Sequence, residues 1–343
     1  MQIGLIGAGR IGSFHARTLR SLPGVTELIV ADADPERAAQ VAAEVGARSA
    51  PHPEALLDAA PDAVVIASAT SSHPELIVAA ARAGLPTFCE KPIALDLAGT
   101  LAVLREVEAA GTTLQIGFMR RFDAGYRAAR EAVRSGRLGR LHTVRAVTSD
   151  AAPPPAAFLP LSGGLIRDCL VHDFDILRWV TGREVVSAYA TGSDAGPPMF
   201  AEAGDVDTAA VLLTLDDGTL ATATATRMNG AGYDIRMELA GERDQIAVGW
   251  DSRTPLISVE PSAPARTGEA WHDFMDRFAP AYTAELAAFL QVARNEITNP
   301  CDGREALHAL RVAEACEQSR LTGRPVALDE QAAPDPSAVP PAG

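Results

Sequence analysis

The sequence predicts a two-domain α/β protein, in which a doubly wound parallel sheet is followed by an α+β domain with an open, mostly antiparallel sheet. A chain of 343 residues is long for a single hydrophobic core, so its length favours two domains. Early in the chain, short apolar strands alternate with helices, which is typical of parallel strands joined by right-handed crossovers. From Gly136 onward, short strands follow one another through hairpin turns, which is typical of antiparallel pairing. We place the domains at 1–121 and 122–328, and we expect the Pro-, Ala- and Asp-rich segment 329–343 to be a disordered tail.

The first strand, the first helix and the turn between them carry a glycine motif. Gly7, Gly9 and Gly12 form G-x-G-x-x-G directly after the apolar strand, where a helix begins. Gly7 permits the tight turn, Gly9 lets a pyrophosphate approach the backbone, and Gly12 lets the helix pack closely. The second strand, 27–31, ends at Asp32, whose carboxylate suits the adenosine ribose hydroxyls and repels a 2′-phosphate. The sequence therefore predicts a Rossmann domain that binds NAD rather than NADP, with cofactor contacts from Gly7, Gly9, Arg10, Ile11, Gly12 and Asp32.

The remaining parallel strands end in loops that are expected to face the cofactor, because ligands of such sheets bind at the carboxyl ends of the strands. The strands are predicted at 63–67, 86–89 and 113–116, and the helices at 34–45, 74–83 and 96–110. In the loop that follows the strand at 63–67, we predict cofactor contacts from Ser68, Thr70 and His73. Capping of the next helix by Ser71 or Ser72 is an equally good interpretation of that loop.

The loop Glu90-Lys91-Pro92 places a lysine just past a buried strand, where a cationic hydrogen-bond donor could reach a substrate. Pro92 keeps Lys91 out of the helical conformation, and the peptide bond between them is a candidate for the cis form. Glu90 is predicted to contact the cofactor. On the tripeptide alone, a solvated surface lysine remains an equal alternative.

One helix of the second domain, predicted over 163–182, carries the candidate proton acceptor. Ser162 can cap its start and Gly182 its end. Asp168 and His172 are four residues apart, so both side chains lie on one face of an α-helix. A carboxylate beside an imidazole holds the ring and favours its charged form, which suits a general base near neutral pH. A histidine buried in the core is the alternative interpretation.

For the rest of the second domain, the sequence predicts strands and two long helices. A tight turn at 216–218 joins two of the strands as a hairpin. Along 219–226 we expect a Leu-Ala-Ala-Ala face and a threonine face, flat enough to pack against a second sheet at a subunit interface or against a helix. The strands are predicted at 141–148, 184–190, 208–215, 219–227, 234–239 and 245–248, and the helices at 281–295 and 304–321.

Composition excludes several classes of protein. The net charge of −14 argues against nucleic acid or an anionic membrane as a partner. We expect no secretory signal, because Met1 is followed at once by an apolar strand, and no run is apolar enough to cross a bilayer. Four scattered cysteines without a C-x-x-C pair favour reduced thiols and a cytoplasmic location. A metal site is not expected, because a single histidine near two aspartates lacks further donors.

Several motifs together resemble the glucose–fructose oxidoreductase / inositol dehydrogenase (Gfo/Idh/MocA) family, over about residues 1 to 325. They are GAGRIG at 7–12, Glu90-Lys91-Pro92 and the spacing from Asp168 to His172. Four further stretches make the chain most similar to the myo-inositol 2-dehydrogenases of that family: Met119-Arg-Arg-Phe-Asp123, Asp150-Ala-Ala-Pro-Pro-Pro155, the pattern Gly163-Gly…Arg167-Asp168…His172-Asp-Phe-Asp175, and Gly232-Tyr233-Asp234. The first and third are shared with other sugar-oxidising members, so they identify the family better than the substrate. A basic residue that inositol enzymes tend to carry before the aspartate of the second stretch is absent here, which leaves the polyol open.

The resemblance implies an NAD-dependent oxidoreductase that converts a secondary alcohol of a cyclic polyol or sugar to the ketone. It implies that Lys91, Asp168 and His172 are catalytic and that Lys91, Arg121, Asp150 and Tyr233 bind the substrate. It also implies a homodimer or homotetramer whose contacts use the open sheet of the second domain. Two alternatives remain: a glycoside-cleaving enzyme that retains NAD and oxidises its substrate transiently, and a non-catalytic sugar or nucleotide sensor.

Overall fold

The structure is a computed structural model in which residues 1–263 and 266–328 are described. The predicted tail at 329–343 lies outside the described residues. The described residues divide into two compact units, the first made of Met1–Arg127 and Phe274–Leu310, the second of Ala128–Asp273 and 311–328. The predicted domains, 1–121 and 122–328, differ from this division because they assign 122–127 and 274–310 to the second domain.

The first unit is built on a parallel sheet. Its six strands in the described part of the chain run in the order β3-β2-β1-β4-β5-β6, and every neighbouring pair is parallel. Two mononucleotide-binding halves that meet at β1 and β4 give this order, which confirms the predicted Rossmann domain and places a ligand crevice at the carboxyl ends of those strands. The strands are β1 Gln2–Ile6, β2 Glu27–Ala31, β3 Arg48–Ser49, β4 Ala63–Ile66, β5 Thr87–Glu90 and β6 Leu114–Gly117.

Most predicted helices begin and end where local signals place them. Asp34 and Asp96 are N-caps, accepting hydrogen bonds from the backbone of Glu36 and of Gly99 at 3.1 and 2.7 Å. Within the described residues, no helix is long and apolar enough to span a membrane. The α-helices are α1 Arg10–Ser21, α2 Pro35–Val45, α3 Pro53–Asp58, α4 His73–Arg82, α5 Leu97–Ala110, α6 Ala124–Arg134, α7 Leu159–Ser162, α8 Val171–Thr181, α9 Met199–Glu202, α10 Phe274–Ala293 and α11 Gly303–Thr322.

The return of α10 to the first unit has a packing cause. Leu286, Phe289 and Leu290 are buried in the same apolar cluster as the strands of the parallel sheet. The Phe289 ring lies 5.8 Å from that of Phe88 on β5. After α10, the carbonyl of Cys301 accepts the amide of Ile116 on β6 at 2.9 Å. The first hydrophobic core is therefore completed by residues far along the chain.

The second unit is built on a mixed sheet in the order β12-β11-β7-β10-β9-β8-β13. The pair β7–β10 is parallel, and the other neighbouring pairs of described strands are antiparallel, which confirms the prediction of a mostly antiparallel sheet. The predicted turn at 216–218 joins β9 to β10, and Gly218 adopts φ 83° there. The strands are β7 Leu141–Ser149, β8 Val185–Ser193, β9 Thr208–Leu215, β10 Leu220–Thr226, β11 Asp234–Gly241, β12 Gln245–Val248 and β13 Val326–Ala327.

The two faces of β10 differ from the predicted ones by one residue. Ala221, Ala223 and Ala225 are buried, whereas Leu220 points to the exposed face together with the threonines. The period of a strand is two, so a leucine adjacent to Ala221 must lie on the opposite face. The predicted Leu-Ala-Ala-Ala face is therefore wrong, and the exposed face combines threonines with a large apolar side chain.

The single helix predicted over 163–182 is broken in the structure. Gly163 and Gly164 adopt φ values of 80° and 91°, which end the short helix α7 before the chain continues. A π-helical turn at Ile166–Leu170 follows and leads into α8. Ser162 accepts the amide of Gly164 at 3.0 Å, so it closes this turn and does not cap α8. The predicted C-cap is confirmed, since Gly182 ends α8 in the left-handed conformation.

Candidate active site

The glycine turn between β1 and α1 has the space that a diphosphate needs. Gly7 adopts φ 102°, and a Cβ there would lie 2.5 Å from the backbone of Ala67. A Cβ on Gly12 would overlap the carbonyl of Gly7. Around Gly9, by contrast, a Cβ would have no atom of the described residues within 4 Å. The turn is closed against β4 and open at Gly9, where the N-terminus of α1 can receive an anionic group.

Asp32 is fixed at the end of β2. Its carboxylate accepts the amide of Ala8 at 2.6 Å and that of Asp34 at 2.9 Å, so it ties the glycine turn to the second strand. The Arg37 guanidinium lies 3.4 Å from the same carboxylate and 3.3 Å from that of Asp34. Asp32 thus lies at the end of β2 next to the glycine turn, and its contact with a ribose stays a prediction. Arg37, a half-exposed arginine that sequence reasoning missed, lies beside it.

His73 is held by the protein on both sides of its ring. It is 1% exposed, with Nδ1 2.7 Å from the carbonyl oxygen of Pro92 and Nε2 3.1 Å from that of Ser68. Burial lowers the pKa of His73, although the two carbonyl oxygens act in the opposite direction. The predicted cofactor contact through this ring does not fit the placement. Ser72 also makes no capping bond to α4, because its hydroxyl pairs with Ser68 at 2.7 Å.

The loop after β5 carries the lysine. The Lys91–Pro92 peptide bond is cis, as the sequence suggested. Lys91 is partly buried, and it is the only lysine in a chain whose other cationic side chains are all arginine. Glu90, predicted as a cofactor ligand, lies 2.6 Å from Nε2 of His15 on α1 through its Oε1. Sequence reasoning missed His15. For Lys91 it overlooked one signal, which is that lysine occurs only once in the chain.

Arg121 lies within the first unit. Its side chain is 3% exposed and donates to Glu305 at 2.8 Å and to the carbonyl of Pro300 at 3.1 Å. Asp123, nearby, accepts from Arg277 on α10 at 2.9 Å. The predicted role of Arg121 in substrate binding does not fit this placement, because the guanidinium is directed to the segment that follows α10.

In the second unit, Asp168 belongs to the π-helical turn and His172 to the first turn of α8. His172 is partly exposed, whereas most of α8 around it is buried. The Oδ2 atom of Asp168 accepts from Arg227 at 2.7 Å. Asp175, further along α8, is fully buried, and the neighbouring Asp173 accepts from Thr148 at 2.6 Å.

Arg227, at the end of β10, joins two of the predicted site residues. Its guanidinium donates to Asp168 and also to Asp150, the latter at 3.2 Å, and the residue is only 4% exposed. Burial alone would lower the pKa of Arg227, but the acidic groups around it, Cys169, Asp168 and Asp150, more than offset burial and raise the pKa. Nothing in the local sequence distinguishes this arginine from the others, so sequence reasoning missed it.

Asp150 and Tyr233 are fixed through their backbones. The amide of Asp150 donates to Thr226 at 2.9 Å, and its carbonyl accepts from Asn229 at 2.8 Å. Tyr233 is 5% exposed and donates its amide to Trp271 at 3.0 Å. The second unit thus gathers Asp150 and Asp168 around one guanidinium, with His172 one turn further along the chain. The action of these residues together with Lys91 on one substrate stays a prediction.

Comparison with known proteins identifies the family of both parts of the chain. The family model described as "Oxidoreductase family, NAD-binding Rossmann fold" matches residues 1–118. The model described as "GFO/IDH/MocA C-terminal domain" matches residues 126–247. The two matches cover the parallel sheet and the greater part of the mixed sheet, including β7 to β11.

Individual relatives match over nearly the whole chain. A myo-inositol dehydrogenase, Hyg17, of Streptomyces leeuwenhoekii is 39% identical over 94% of this chain and 98% of its own length. The crystal structure of a putative myo-inositol dehydrogenase from Sinorhizobium meliloti superposes with a TM-score of 0.89 at 34% identity, covering 96% of this chain and 100% of that one. The crystal structure of a scyllo-inositol dehydrogenase from Lactobacillus casei with bound NAD(H) and scyllo-inositol has a TM-score of 0.86 at 28% identity, with coverage of 95% and 98%.

Proposed function

Because the chain belongs to the GFO/IDH/MocA family of oxidoreductases, whose N-terminal domain is an NAD-binding Rossmann fold, we propose that it oxidises one ring hydroxyl of an inositol to the ketone. The observation that carries the proposal is the Asp150–Arg227–Asp168 cluster beside His172, in a chain whose single lysine follows β5. The names of the relatives, which include myo- and scyllo-inositol dehydrogenases, support an inositol as substrate.

We assign proton transfer to His172. Histidine is the side chain that most readily exchanges a proton near neutral pH, and this one is partly exposed on a mostly buried helix. Asp168 favours the imidazolium as it forms, because a carboxylate one turn away stabilises the positive charge. NAD, when bound, supplies the hydride acceptor. His172→Ala should lower kcat by about two to four orders of magnitude with little change in NAD affinity; turnover at the wild-type rate would contradict the role.

We assign Lys91 to the substrate oxygen. Its ammonium donates a hydrogen bond and stabilises the negative charge that develops as the hydroxyl proton leaves. The composition of the chain supports this role, because lysine occurs once and every other cation is arginine. An ammonium is a compact point charge on a flexible stem, whereas a guanidinium is a planar fork, so the two are not interchangeable at a single oxygen. Lys91→Arg should therefore be nearly as inactive as Lys91→Met.

Asp150 and Asp168 are suited to bind a polyol. An ionised carboxylate only accepts hydrogen bonds, and the hydroxyls of a ring polyol are donors. The side chains of Asp150 and Asp168 retain 25% and 17% exposure, so their oxygens remain accessible while Arg227 neutralises part of their charge. We assign Asp150 and Tyr233 to ring hydroxyls other than the one that is oxidised.

Formation of NADH tests the proposal. Purified protein is incubated with myo-inositol, scyllo-inositol, other inositols and several pyranoses, each with NAD and with NADP. The expected result is NADH formation with at least one inositol and a much lower rate with NADP. Consumption of a glycoside without net NADH would identify the glycoside-cleaving alternative. Binding of NAD without turnover of any polyol or glycoside would identify a sensor.

We also propose that the protein is a cytoplasmic homo-oligomer. The exposed face of the mixed sheet carries Tyr189, Leu212 and Leu220, which are 40%, 46% and 47% exposed. Tyr189 and Leu212 are register partners on β8 and β9, so they form one apolar patch on a flat face. The four cysteines are free and buried, which suits a reducing compartment. Leu212→Glu should shift the mass measured by light scattering to that of a monomer, whereas Val259→Glu, at a position 94% exposed elsewhere, should not.

A further inference from the structure

Lys91 stands between two residues that are each bonded to a buried imidazole. On one side, Glu90 Oε1 lies 2.6 Å from Nε2 of His15, a residue of α1 that is 0% exposed. On the other side, the carbonyl of Pro92 lies 2.7 Å from Nδ1 of His73, the first residue of α4. The lysine loop is thus fastened to two helices of the first unit, and neither fastening uses Lys91 itself.

The hydrogen bond between His15 and Glu90 has a defined direction. A carboxylate can only accept, so Nε2 of His15 carries the hydrogen and donates it. Nδ1 is buried without a hydrogen-bond partner among the described residues, so the bond from Nε2 to Glu90 is the side-chain hydrogen bond by which this ring is held there. The rings of Phe14, Phe88 and Tyr282 surround the imidazole at centroid distances of 6.0, 5.9 and 5.7 Å. The ring cannot reach a ligand, so whatever it contributes passes through Glu90.

The strand next to β5 leaves room for this arrangement. A Cβ on Gly117, at the end of β6, would lie 2.9 Å from Glu90 Oε2. A side chain at position 117 would therefore push the carboxylate away from His15. The absence of a side chain there lets Glu90 remain within hydrogen-bond distance of His15.

His73 acts on the backbone instead. Both of its nitrogens face carbonyl oxygens, and a neutral ring can donate to only one of them. Burial lowers the pKa of His73, which favours the neutral ring. The contact to Pro92 is 2.7 Å and that to Ser68 is 3.1 Å, so the shorter one marks Nδ1 as the donor. The proton of His73 thus holds the residue that follows Lys91.

We propose that His15 and His73 are positioning residues for Lys91. They hold the residues before and after it, Glu90 and Pro92, so that the ammonium group is kept in one position. The proposal rests on the role proposed above for Lys91. It predicts that what matters at each position is a single N–H group in a given place, and not the bulk of the ring. A misplacement of about 1 Å in a catalytic group can reduce the rate by about 100-fold, so the loss of either hydrogen bond should lower kcat measurably.

Asparagine and glutamine variants distinguish a histidine that acts through one N–H group from a histidine that only fills space. The amide nitrogen of asparagine takes the place of Nδ1, and that of glutamine takes the place of Nε2. His15→Gln therefore retains the donor to Glu90, whereas His15→Asn loses it. At position 73 the order is reversed, because His73→Asn retains the donor to Pro92 and His73→Gln loses it. The same pair of substitutions thus has opposite expected outcomes at the two sites.

The expected result is a crossed pattern in kcat. His15→Gln and His73→Asn should stay close to wild type, and His15→Asn and His73→Gln should lose about 10- to 100-fold. NAD affinity, measured by quenching of protein fluorescence, should be similar in the two variants at position 15. Thermal unfolding midpoints are measured for all four variants. If kcat followed the unfolding midpoint, or if asparagine were the better substitute at both sites, the histidines would be filling space and the proposal would be wrong.

A second readout does not depend on turnover. Lys91 is the only lysine, so acetylation of the peptide that contains it reports on that amine alone. Its rate should rise in His15→Asn and His73→Gln, because a released loop exposes a partly buried ammonium, and should stay at the wild-type value in the other two variants. If the wild type formed no NADH with any polyol, the proposed function would fail, and the acetylation rates would still decide the positioning roles. Equal acetylation rates in all four variants would overturn the proposal.

Discussion

Replacement of Arg227 by methionine isolates the contribution of the guanidinium that joins Asp150 and Asp168. Methionine has a similar length and keeps the apolar part of the side chain, but it leaves the two carboxylates without their shared cation. Each lost hydrogen bond to a charged group costs about 1.5–3 kcal/mol, and breaking a buried ion pair costs about 3–5 kcal/mol. Water can reach Asp168 and Asp150, which remain 17% and 25% exposed, so we expect the lower end of that range, about 3 kcal/mol of unfolding free energy.

The effect on activity should exceed what this loss of stability explains. The two carboxylates are proposed to bind ring hydroxyls and to orient the base, so their displacement should lower kcat by about 100-fold. Arg227→Lys keeps the charge but cannot present two donors in a fixed fork, so it should restore stability better than kcat. Urea unfolding and steady-state NADH formation, measured on the same preparations, give the two numbers.

Arg178 provides a matched control within the second unit. It is 6% exposed and donates to Glu184 at 2.7 and 2.6 Å, so Arg178→Met also removes a buried guanidinium from a carboxylate. It should cost similar stability and leave kcat unchanged. Wild-type kcat in Arg227→Met, or an equal loss of kcat in Arg178→Met, would refute the proposed link between the cluster and catalysis.

Three further predictions concern the cofactor, the thiols and the pH dependence of stability. Asp32→Ala should lower kcat/KM for NAD and raise it for NADP, and the double variant with Arg37→Ala should lose that gain, since the Arg37 guanidinium lies 3.4 Å from the Asp32 carboxylate and can pair with a 2′-phosphate once that carboxylate is removed. NADP use that is independent of Arg37 would speak against this. In the folded protein Cys89 and Cys316 should not react rapidly with a thiol reagent, because burial raises the pKa of both thiols, and both should react after denaturation. Burial lowers the pKa of His73, so the unfolded chain binds more protons than the folded one as the pH falls below about 6.5. The folded protein therefore becomes less stable as the pH falls through this range. His73→Asn should show a smaller fall in its unfolding midpoint between pH 7 and 5.

Local signals in the sequence predicted those parts of the fold that depend on local causes. The helix starts near Asp34 and Asp96, the turn at 216–218 and the glycine turn at 7–12 each depend on a few neighbouring residues, and the structure has them in place. The alternation of side chains between the two faces of a strand also follows from the local sequence, because its period is two. The prediction nevertheless placed Leu220 on the wrong face of β10. The break after Ser162 also has a local cause, because Gly163 and Gly164 both adopt positive φ values. The apolar residues that follow them at helical spacing nevertheless led to the prediction of one continuous helix.

Features that depend on distant residues were not predictable in the same way. The amphipathic pattern of α10 predicts a helix with a buried face, but it does not say which sheet covers that face. The partner of His15 is 75 residues away in sequence, and the partners of Arg227 are 59 and 77 residues away. A single chain offers no signal for such pairs. The one global signal that could have singled out Lys91 is compositional, since lysine is used once in the chain.

A double-variant cycle with Lys91→Met and His172→Ala tests most directly whether the two side chains act in the same chemical step. The cycle compares kcat/KM for inositol oxidation in the wild type, the two single variants and the double variant, with NAD affinity measured for each. If both groups stabilise one transition state, the effects are strongly non-additive, and the double variant should be little worse than the weaker single variant. Effects that add to within about 0.5 kcal/mol would mean that the two residues act independently, which would contradict the mechanism.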